Sequence, residues 1–265
     1  MSMHLRLENF KINLCLSKYL NKIRSPIQAT TCLHLWFSPI QASSVCQIEM
    51  MKTVQRGALI VIEGVDRSGK STQCKKLVES LISQNIKAQL MNFPDRSNLT
   101  GKLINEYLIN SDCKLNDRAI HLLFSANRWE NVEKMNTLLY GGTTLVVDRY
   151  SYSGIAFSAA KGGMDMNWLK QAENGLPKPD LVFLLTLNHE EAAKRVGFGE
   201  ERYENEAMQK KVSNIFSQLA KEEDNWRVIE ASDSIESLQA ILLGHTLDVI
   251  ARVAKQELKS LHFQT

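Results

Sequence analysis

Apolar residues first form a continuous run at residues 58–62, which read Ala-Leu-Ile-Val-Ile. An uninterrupted β-prone run of this length is typical of a strand that is covered on both faces. Comparable runs predict further strands at residues 87–92, 144–147, 181–187 and 227–229. The pattern therefore predicts a sheet of about five short strands.

Segments with apolar residues at helical spacing separate these strands. The first follows a glycine-containing turn and continues to about Leu81. The others are predicted at 99–110, 117–139, 189–195, 204–222 and 234–258. Strands that alternate with helices imply right-handed crossovers and a parallel sheet, with the active site at the carboxyl ends of the strands. We therefore predict one three-layer α/β domain over residues 57–265, with helices on both faces of the sheet.

The first 56 residues follow a different pattern. On a helix, residues 5–24 place their apolar side chains on one face and Lys11, Lys18 and Lys22 on the opposite face. Residues 1–56 carry seven basic and two acidic side chains. Basic, acid-poor amphipathic leaders are typical of organellar presequences. We expect a mitochondrial targeting segment and a disordered linker here, although an ordinary surface helix on a disordered tail is the alternative.

Two methionines precede the predicted domain and offer alternative sites for the initiation of translation. Initiation at Met50 or Met51 would give a leaderless form, located in the cytosol or nucleus.

Composition and charge exclude several classes of protein. Hydrophobic residues make up 44% and charged residues 23% of the chain, which argues against wholesale disorder. No apolar run approaches the ~18 residues that span a bilayer, and residues 57–265 carry 25 basic and 27 acidic side chains. We therefore expect neither a membrane nor a nucleic acid as partner. Five scattered cysteines and the lack of an H-E-x-x-H motif give no support for a disulfide scaffold or a zinc site.

Residues 64–71 match the phosphate-binding motif G-x-x-x-x-G-K-[ST] in full. In this motif, backbone N–H groups surround phosphate oxygens, the lysine reaches the β/γ-phosphates and the hydroxyl binds magnesium. Here the motif follows a buried-type strand and opens a helix, the context that supports it. The sequence therefore predicts a P-loop NTPase-like fold that binds ATP. The predicted contacts are Gly64, Val65, Asp66, Arg67, Ser68, Gly69, Lys70, Ser71 and Thr72.

A second apolar strand ends in a carboxylate, Asp148. In P-loop enzymes, an aspartate at such a position helps to hold the metal ion. The predicted magnesium ligands are therefore Ser71 and Asp148. The alternative role for Asp148 is to cap the following helix.

Arginines distinguish a small-molecule kinase from other P-loop proteins. Residues 57–265 contain no N-K-x-D sequence, which GTPases need to recognise guanine. A kinase must instead bind the acceptor's phosphate, and the planar guanidinium group binds phosphate through two hydrogen bonds. For any one of these arginines taken alone, a solvated surface charge is the favoured interpretation. The candidates outside the motif are Arg96, Arg128, Arg149, Arg195 and Arg202.

Several further segments are specific enough to suggest a family. They are 93–96 (Phe-Pro-Asp-Arg), 123–130 (Leu-Phe-Ser-Ala-Asn-Arg-Trp-Glu), 148–150 (Asp-Arg-Tyr) with 153–154 (Ser-Gly), 175–180 (Gly-Leu-Pro-Lys-Pro-Asp), and 192–204, which is similar to a mobile lid. Together with the P-loop, they closely resemble the thymidylate kinases, which transfer the γ-phosphate of ATP to dTMP. The resemblance runs from the first strand to about residue 236. Arg67 within the P-loop is typical of the eukaryotic-type members.

The resemblance implies roles at the phosphate end of the site. Arg67 would act on the ATP phosphates, and Arg195 would pack on adenine. Arg96 and Arg149 would bind the dTMP phosphate, and Asp66 would contact the sugar 3′-hydroxyl. The implied catalytic residues are Asp66, Arg67, Lys70 and Asp148.

The resemblance also implies a pocket for the thymine nucleoside. Phe124 would stack on thymine, Arg128 would bond to its carbonyl oxygen, and Tyr150 would crowd the 2′ side of the sugar. Tyr203 and Gln209 would close over dTMP. Further members of the implied substrate site are Phe93, Ser153, Gly154 and Phe157.

These features predict magnesium-dependent phosphorylation of dTMP to dTDP by ATP. Phosphoryl transfer of this kind depends on positioning and charge stabilisation, and it needs no protein nucleophile. The family's habit implies a homodimer built through helices. The alternatives are a kinase for another pyrimidine monophosphate (UMP, CMP or dUMP) or a nucleotide-binding protein without catalysis.

Overall fold

The structure is a computed structural model that describes residues 55–187 and 201–263. The predicted targeting segment, the predicted helix at 189–195 and Arg195 lie outside the described residues. A compact unit begins at Val54, close to the predicted domain boundary at residue 57. Arg56, which that boundary assigns to the leader, is buried and forms an ion pair with Asp180 at 2.7 Å.

Five parallel strands form the central sheet of this unit. They are β1 (Leu59–Gly64), β2 (Ala88–Asn92), β3 (Thr144–Asp148), β4 (Leu181–Thr186) and β5 (Trp226–Glu230). All six residues of β1 are buried, as the continuous apolar run predicts. The predicted parallel sheet of about five strands is confirmed.

Eight helices are present in the described part of the chain. They are α1 (Lys70–Ser83), α2 (Leu99–Ile109), α3 (Asp117–Trp129), α4 (Val132–Tyr140), α5 (Ser151–Lys161), α6 (Met166–Gln171), α7 (Glu206–Leu219) and α8 (Ile235–Val253). Within residues 55–187 and 201–263 a bilayer-spanning helix is absent, since every helix falls short in length or in apolar character.

The predicted single helix at 117–139 is wrong, because it is divided between α3 and α4. The backbone N–H of Asn131 bonds to the Arg128 carbonyl at 3.0 Å, a spacing of three residues. Its side-chain amide donates to the Asn127 carbonyl at 3.1 Å. An asparagine side chain that competes for backbone groups in this way ends one helix and lets the next begin.

Helix α5 is missing from the predicted elements for a different reason. Eight of its eleven residues are buried, the first six of them without interruption, so no amphipathic stripe marks it. Many of these residues are small, which lets the helix lie close to the sheet.

The sheet separates two apolar layers. Alternate side chains of β1 enter opposite layers: Leu59 and Val61 face one, and Ile60 and Ile62 face the other. Helices α4, α5 and α7 contribute to the first layer, and α1 and α8 contribute to the second. A smaller cluster joins α2 to α3. The three-layer arrangement therefore follows from strands that are apolar on both faces.

The order of the strands in the sheet determines where the site lies. Across the sheet the order is β2-β3-β1-β4-β5, so the chain leaves β1 toward β2 and leaves β3 toward β4, in opposite directions. Loops that diverge in this way open a crevice at the carboxyl ends of the strands. Ile62 lies beside Asp148 in the register of β1 and β3. The P-loop after β1 and the Asp148-Arg149 pair after β3 therefore meet at the same edge.

Candidate active site

The P-loop turns tightly between β1 and α1. Gly64 has a φ of 145°, and a Cβ there would lie 2.4 Å from the Leu185 carbonyl oxygen. Arg67 also adopts a positive φ, 63°. Helix α1 begins at Lys70, so its free N–H groups and the positive end of its dipole face the loop. This arrangement is an anion-binding site of the kind that phosphate groups occupy.

Lys70 is buried inside the loop. Its Nζ donates to the Val65 carbonyl at 2.6 Å and to Ser68 Oγ at 3.3 Å. Burial, together with the nearby Arg149, lowers the pKa of Lys70 to about 8. A phosphate beside this lysine would favour its charged form.

Ser71 and Asp148 lie together, as the predicted magnesium site requires. The Ser71 hydroxyl donates to Asp148 Oδ2 at 2.5 Å. Magnesium prefers oxygen ligands, and with nucleotides it takes one or two from the protein and the others from phosphates and water. Among the described residues, no cluster of three or more His, Cys, Asp or Glu side chains forms a separate metal site. The two oxygen donors therefore fit a magnesium ion that is shared with nucleotide phosphates.

The capping alternative for Asp148 is not what the structure shows. The residue that caps α5 is Tyr150, without a side-chain hydrogen bond. The Asp148 carboxylate accepts its hydrogen bond from Ser71 instead.

Arg149 links the P-loop to the rest of the site. One of its terminal nitrogens pairs with Asp66, and the other donates to the Gly64 carbonyl and to Ser153 Oγ, both at 3.2 Å. The guanidinium also lies over the ring of Phe157, 5.3 Å from its centroid. Burial alone would raise the pKa of Asp66, but Arg149 and Lys70 outweigh it, so this pKa is lowered. The carboxylate is therefore ionised and holds Arg149 in place.

Arg96 approaches from the segment after β2. Its guanidinium donates to Asn105 at 2.7 Å and to Glu201 at 2.6 Å. With a side chain 42% exposed, Arg96 is the more accessible of the two predicted acceptor-phosphate arginines.

A cavity of about 530 Å³ brings the predicted residues together. Its wall includes Asp66, Arg67, Gly69, Lys70, Ser71, Thr72, Phe93, Arg96, Phe124, Arg128, Asp148, Arg149, Tyr150, Ser153, Gly154, Phe157 and Tyr203. Lys70, Arg96 and Arg149 thus face one space. Gly64, Val65 and Ser68 belong to the P-loop but lie outside this wall.

Gln209 does not line the cavity, but it contacts two residues that do. Its amide oxygen accepts from the Asp66 backbone N–H at 2.8 Å, and its amide nitrogen donates to Asp66 Oδ2 at 2.5 Å and to the Tyr203 carbonyl at 2.9 Å. The Tyr203 ring packs against Phe157, with 5.7 Å between centroids. The structure therefore places Gln209 as a brace between the P-loop and Tyr203.

At the other end of the cavity, Phe124 and Arg128 lie one turn apart on α3, where they can face the same ligand. Phe124 is half-buried, and Arg128 is buried and paired with Glu173. A Cβ on Gly154 would lie only 2.5 Å from Arg128 Nη2. Glycine at this position of α5 is what lets the guanidinium reach the cavity.

We expect the Gly154→Ala variant to lose about 10- to 100-fold in kcat/KM for the acceptor, because the new methyl group displaces Arg128. Arg128 cannot retreat, since it is buried against Glu173. Steady-state kinetics at saturating ATP would measure the loss. Gly244→Ala on α8 is the matched control, because a Cβ there meets nothing within 4 Å. Equal kinetics for both variants would contradict the close approach.

Glu63, absent from the predicted set, is fully buried at the end of β1. Its carboxylate accepts from the backbone N–H groups of Tyr150 and Ser153 at 2.9 and 3.0 Å, and from the Ser153 hydroxyl at 2.5 Å. These bonds fix the start of α5 and therefore Arg149. An acidic residue inside an otherwise apolar strand is a signal that could have identified it.

Two glutamates at the C-terminal end of the predicted lid also contact site arginines. Glu201 pairs with Arg96 at 2.6 Å, and Glu204 pairs with Arg67 at 3.2 Å. Between them, Arg202 donates to three carbonyls at and just after the C-terminal end of α2, those of Tyr107, Asn110 and Cys113. Arg202 therefore anchors this segment, and it does not line the cavity. Nothing in the local sequence distinguishes these acidic residues from surface charges.

Comparison with known proteins agrees with this geometry. Residues 62–241 match the thymidylate kinase family model. The thymidylate kinases of Homo sapiens and Schizosaccharomyces pombe are 48% and 49% identical to the chain, over 78% and 76% of it and 98% and 100% of their own lengths. The chain belongs to the thymidylate kinase family. A solved thymidylate kinase structure from Candida albicans is 39% identical, covers 79% of this chain and all of its own, and has a TM-score of 0.69.

Membership of the thymidylate kinase family confirms two predictions made from the sequence. The fold is of the P-loop NTPase type, and the chain is an enzyme, a phosphotransferase of the nucleoside monophosphate kinase class. The alternative of a nucleotide-binding protein without catalysis is therefore wrong. The roles assigned to individual residues stay predictions, supported by where the structure places their side chains.

Proposed function

We propose that the protein transfers the γ-phosphoryl group of ATP to dTMP, with magnesium, and forms ADP and dTDP. The observation that carries this proposal is a single cavity lined by the P-loop lysine, by Arg149 and by the Phe124–Arg128 pair. Such a space suits two nucleotides whose phosphates meet. Ser71 and Asp148 would hold the magnesium ion, which would supply positive charge to neutralise the phosphates.

On the donor side, the protein supplies positive charge. The P-loop N–H groups and Lys70 bind the phosphates of ATP, and Arg67 stabilises the charge that develops on the transferred group. Phosphoryl transfer passes through a loose transition state whose charge is spread over the equatorial oxygens, so such contacts lower its free energy.

On the acceptor side, the protein supplies orientation. Arg149 and Arg96 bind the phosphate of dTMP, and Asp66 keeps Arg149 in position while its carboxylate faces the sugar. Phe124 stacks on the base, and Arg128 donates to a base carbonyl. Holding both reactants in line converts a bimolecular encounter into a reaction within one complex.

A panel of monophosphates tests the choice of substrate. With ATP and magnesium, we expect kcat/KM to be highest for dTMP, because a ring-stacked 4-oxo base matches Phe124 and Arg128, and Tyr150 disfavours a 2′-hydroxyl. ADP release with dTMP, dUMP, UMP and dCMP would be measured. The C. albicans relative is described as having a broad substrate specificity, so the panel includes close analogues. A preference for UMP over dTMP would refute the assignment of Phe124, Arg128 and Tyr150.

We also propose a homodimer that is formed through α2 and α3. These helices pack together, and each exposes large apolar side chains: Leu99 and Leu103 on α2, and Leu122 and Trp129 on α3. Apolar side chains grouped on neighbouring helices are typical of an interface.

Leu103→Glu should shift the protein from dimer to monomer in analytical ultracentrifugation, because it places a charge in the apolar face. Val228→Glu on β5 is the matched control, since Val228 is equally apolar and 60% exposed but lies on an edge strand. An unchanged sedimentation coefficient for Leu103→Glu would contradict this interface.

For localisation, we propose that residues 1–56 direct the protein to mitochondria and that starts at Met50 or Met51 give a cytosolic or nuclear form. The supporting observation is the basic amphipathic pattern of residues 5–24. A fusion of residues 1–56 to a fluorescent protein should co-localise with mitochondria. Changing Lys11, Lys18 and Lys22 to glutamate in the same fusion should abolish import. Diffuse fluorescence from the unmodified fusion would refute the proposal.

A further inference from the structure

We infer that Glu173 and the C-terminal segment, residues 258–263, position Arg128 and so set the preference for 4-oxo over 4-amino pyrimidines. This inference rests on the proposed function, in which Arg128 donates to the base. Of the residues that it adds to the site, Glu173 lies within the segment matched by the family model, and the C-terminal segment lies beyond the end of that match at residue 241.

Arg128 is paired with Glu173 in the interior of the protein. Its side chain is 2% exposed and that of Glu173 is fully buried. Arg128 Nε donates to Glu173 Oε2 at 2.8 Å, and Nη2 donates to Oε1. Two parallel hydrogen bonds fix the plane of a guanidinium group. Nη1 makes no hydrogen bond to the residues that the structure describes, and Arg128 lines the cavity. Glu173 thereby determines the direction in which Nη1 can donate.

Helix α3 also supports Glu173 through the residue before it. The carbonyl of its neighbour, Ala172, accepts from Ser125 Oγ at 2.8 Å and from Trp129 Nε1 at 3.0 Å. Both donors belong to the helix that carries Arg128. The arginine and its partner are therefore held at a fixed separation on this side.

The C-terminal segment holds the residues that follow Glu173 in the same loop. The Gly175 N–H donates to the Leu261 carbonyl at 2.9 Å, and the Leu261 N–H donates to the Leu176 carbonyl at 2.8 Å. The Phe263 N–H donates to the Asn174 side chain at 2.8 Å. Leu261 is fully buried, and the Phe263 ring meets Tyr152 edge-on at 6.1 Å. Three consecutive residues after Glu173 are thus fixed by this segment.

The chemical consequence concerns position 4 of the base. A 4-oxo group accepts a hydrogen bond from Nη1, whereas a 4-amino group is itself a donor, and two facing donors leave both unsatisfied. This discrimination depends on Nη1 keeping its direction. If Glu173 or the C-terminal segment is disturbed, Arg128 can rotate. The difference in kcat/KM between 4-oxo and 4-amino substrates then decreases.

The experiment compares kcat/KM for dUMP and dCMP, which share sugar and phosphate and lack the 5-methyl group. We expect Glu173→Gln to lower the dUMP-to-dCMP ratio by about 10- to 100-fold, because its amide turns a donor toward Nη2. Leu261→Ala should lower the ratio in the same direction by a smaller factor. The KM for ATP should stay the same in both variants, since neither residue contacts the P-loop.

Two controls separate positioning from loss of stability. Leu242→Ala on α8 removes an equally buried leucine from the opposite apolar layer, so it should lower the melting temperature and leave the ratio unchanged. Arg128→Met should abolish the preference for dUMP over dCMP. If Glu173 acts through Arg128, the double variant Arg128→Met, Glu173→Leu should show the same dUMP-to-dCMP ratio as Arg128→Met alone. This apolar pair also avoids a buried unpaired charge.

The outcomes distinguish the inference from the function on which it rests. Retention of the ratio in Glu173→Gln and Leu261→Ala, with its loss in Arg128→Met, would overturn the positioning roles alone. If the unmodified protein did not phosphorylate dTMP, the proposed function itself would be wrong.

Discussion

We expect the Arg67→Ala variant to turn over about 10³- to 10⁵-fold more slowly than the unmodified protein, with ATP still bound. Arg67 lines the cavity within the P-loop, as do Gly69 and Lys70, which are proposed to bind the ATP phosphates. Its charge matters most when negative charge spreads over the transferred group, so its loss acts on kcat. Ground-state binding persists, because the loop N–H groups and Lys70 remain.

Single-turnover phosphorylation of dTMP and calorimetric titration with ATP would measure the two effects separately. Arg67→Lys should recover only part of the rate, because an ammonium group lacks the planar fork of a guanidinium. Arg252→Ala, an exposed arginine in the last turn of α8, serves as the control for loss of charge alone. Normal turnover in Arg67→Ala would remove Arg67 from the mechanism.

The second large effect is expected at Arg149. Arg149→Met should lower kcat/KM for dTMP by about 10²- to 10³-fold, since it removes a charged, pre-positioned donor from the acceptor phosphate. The change also leaves Asp66 without its principal counter-charge, so the pKa of Asp66 rises and the fold loses stability. Steady-state kinetics and thermal unfolding would report the two consequences.

The double variant Arg149→Met, Asp66→Asn separates these consequences. Neutralising Asp66 removes the unpaired carboxylate, so the melting temperature should recover while the activity stays low. In the unmodified protein, the free energy of unfolding that this pair contributes also depends on pH. Because Arg149 keeps the pKa of Asp66 lowered, that pair stabilises the fold above the ordinary pKa of aspartate, and the contribution is lost as the pH falls through the lowered value. A single variant with unchanged kcat/KM for dTMP would contradict the assignment of Arg149.

The parts of the site that are continuous in sequence were predictable. The P-loop needs only eight consecutive residues between a strand and a helix, and Asp148 and Arg149 follow directly after an apolar strand. The carboxyl ends of parallel strands lie at one edge of the sheet. The strand–helix alternation therefore predicts that the P-loop and the Asp148-Arg149 pair lie close together.

The parts formed by distant residues were not predictable from local pattern. Glu173 lies 45 residues from Arg128, and the C-terminal segment is joined to the loop after Glu173 mainly by backbone hydrogen bonds, which leave no mark on residue type. Helix α5 is buried too completely to show a 3.6-residue period, and the end of α3 depends on one asparagine side chain. In each case, tertiary contacts outweigh the local signal.

In the proposed function, the contacts with the phosphate donor and with the acceptor base reside on separate stretches of polypeptide. The loop after β1 would provide the donor contacts, whereas α3 and α5, before and after β3, line the part of the cavity proposed for the base. The ion pair between Asp66 and Arg149 is one direct link between the P-loop and the segment that leads into α5. Substitutions on the inner faces of α3 and α5 can therefore alter which base is accepted while the triphosphate contacts persist. Acceptor preference can diverge in evolution, or be redesigned, without rebuilding the part of the enzyme that uses ATP.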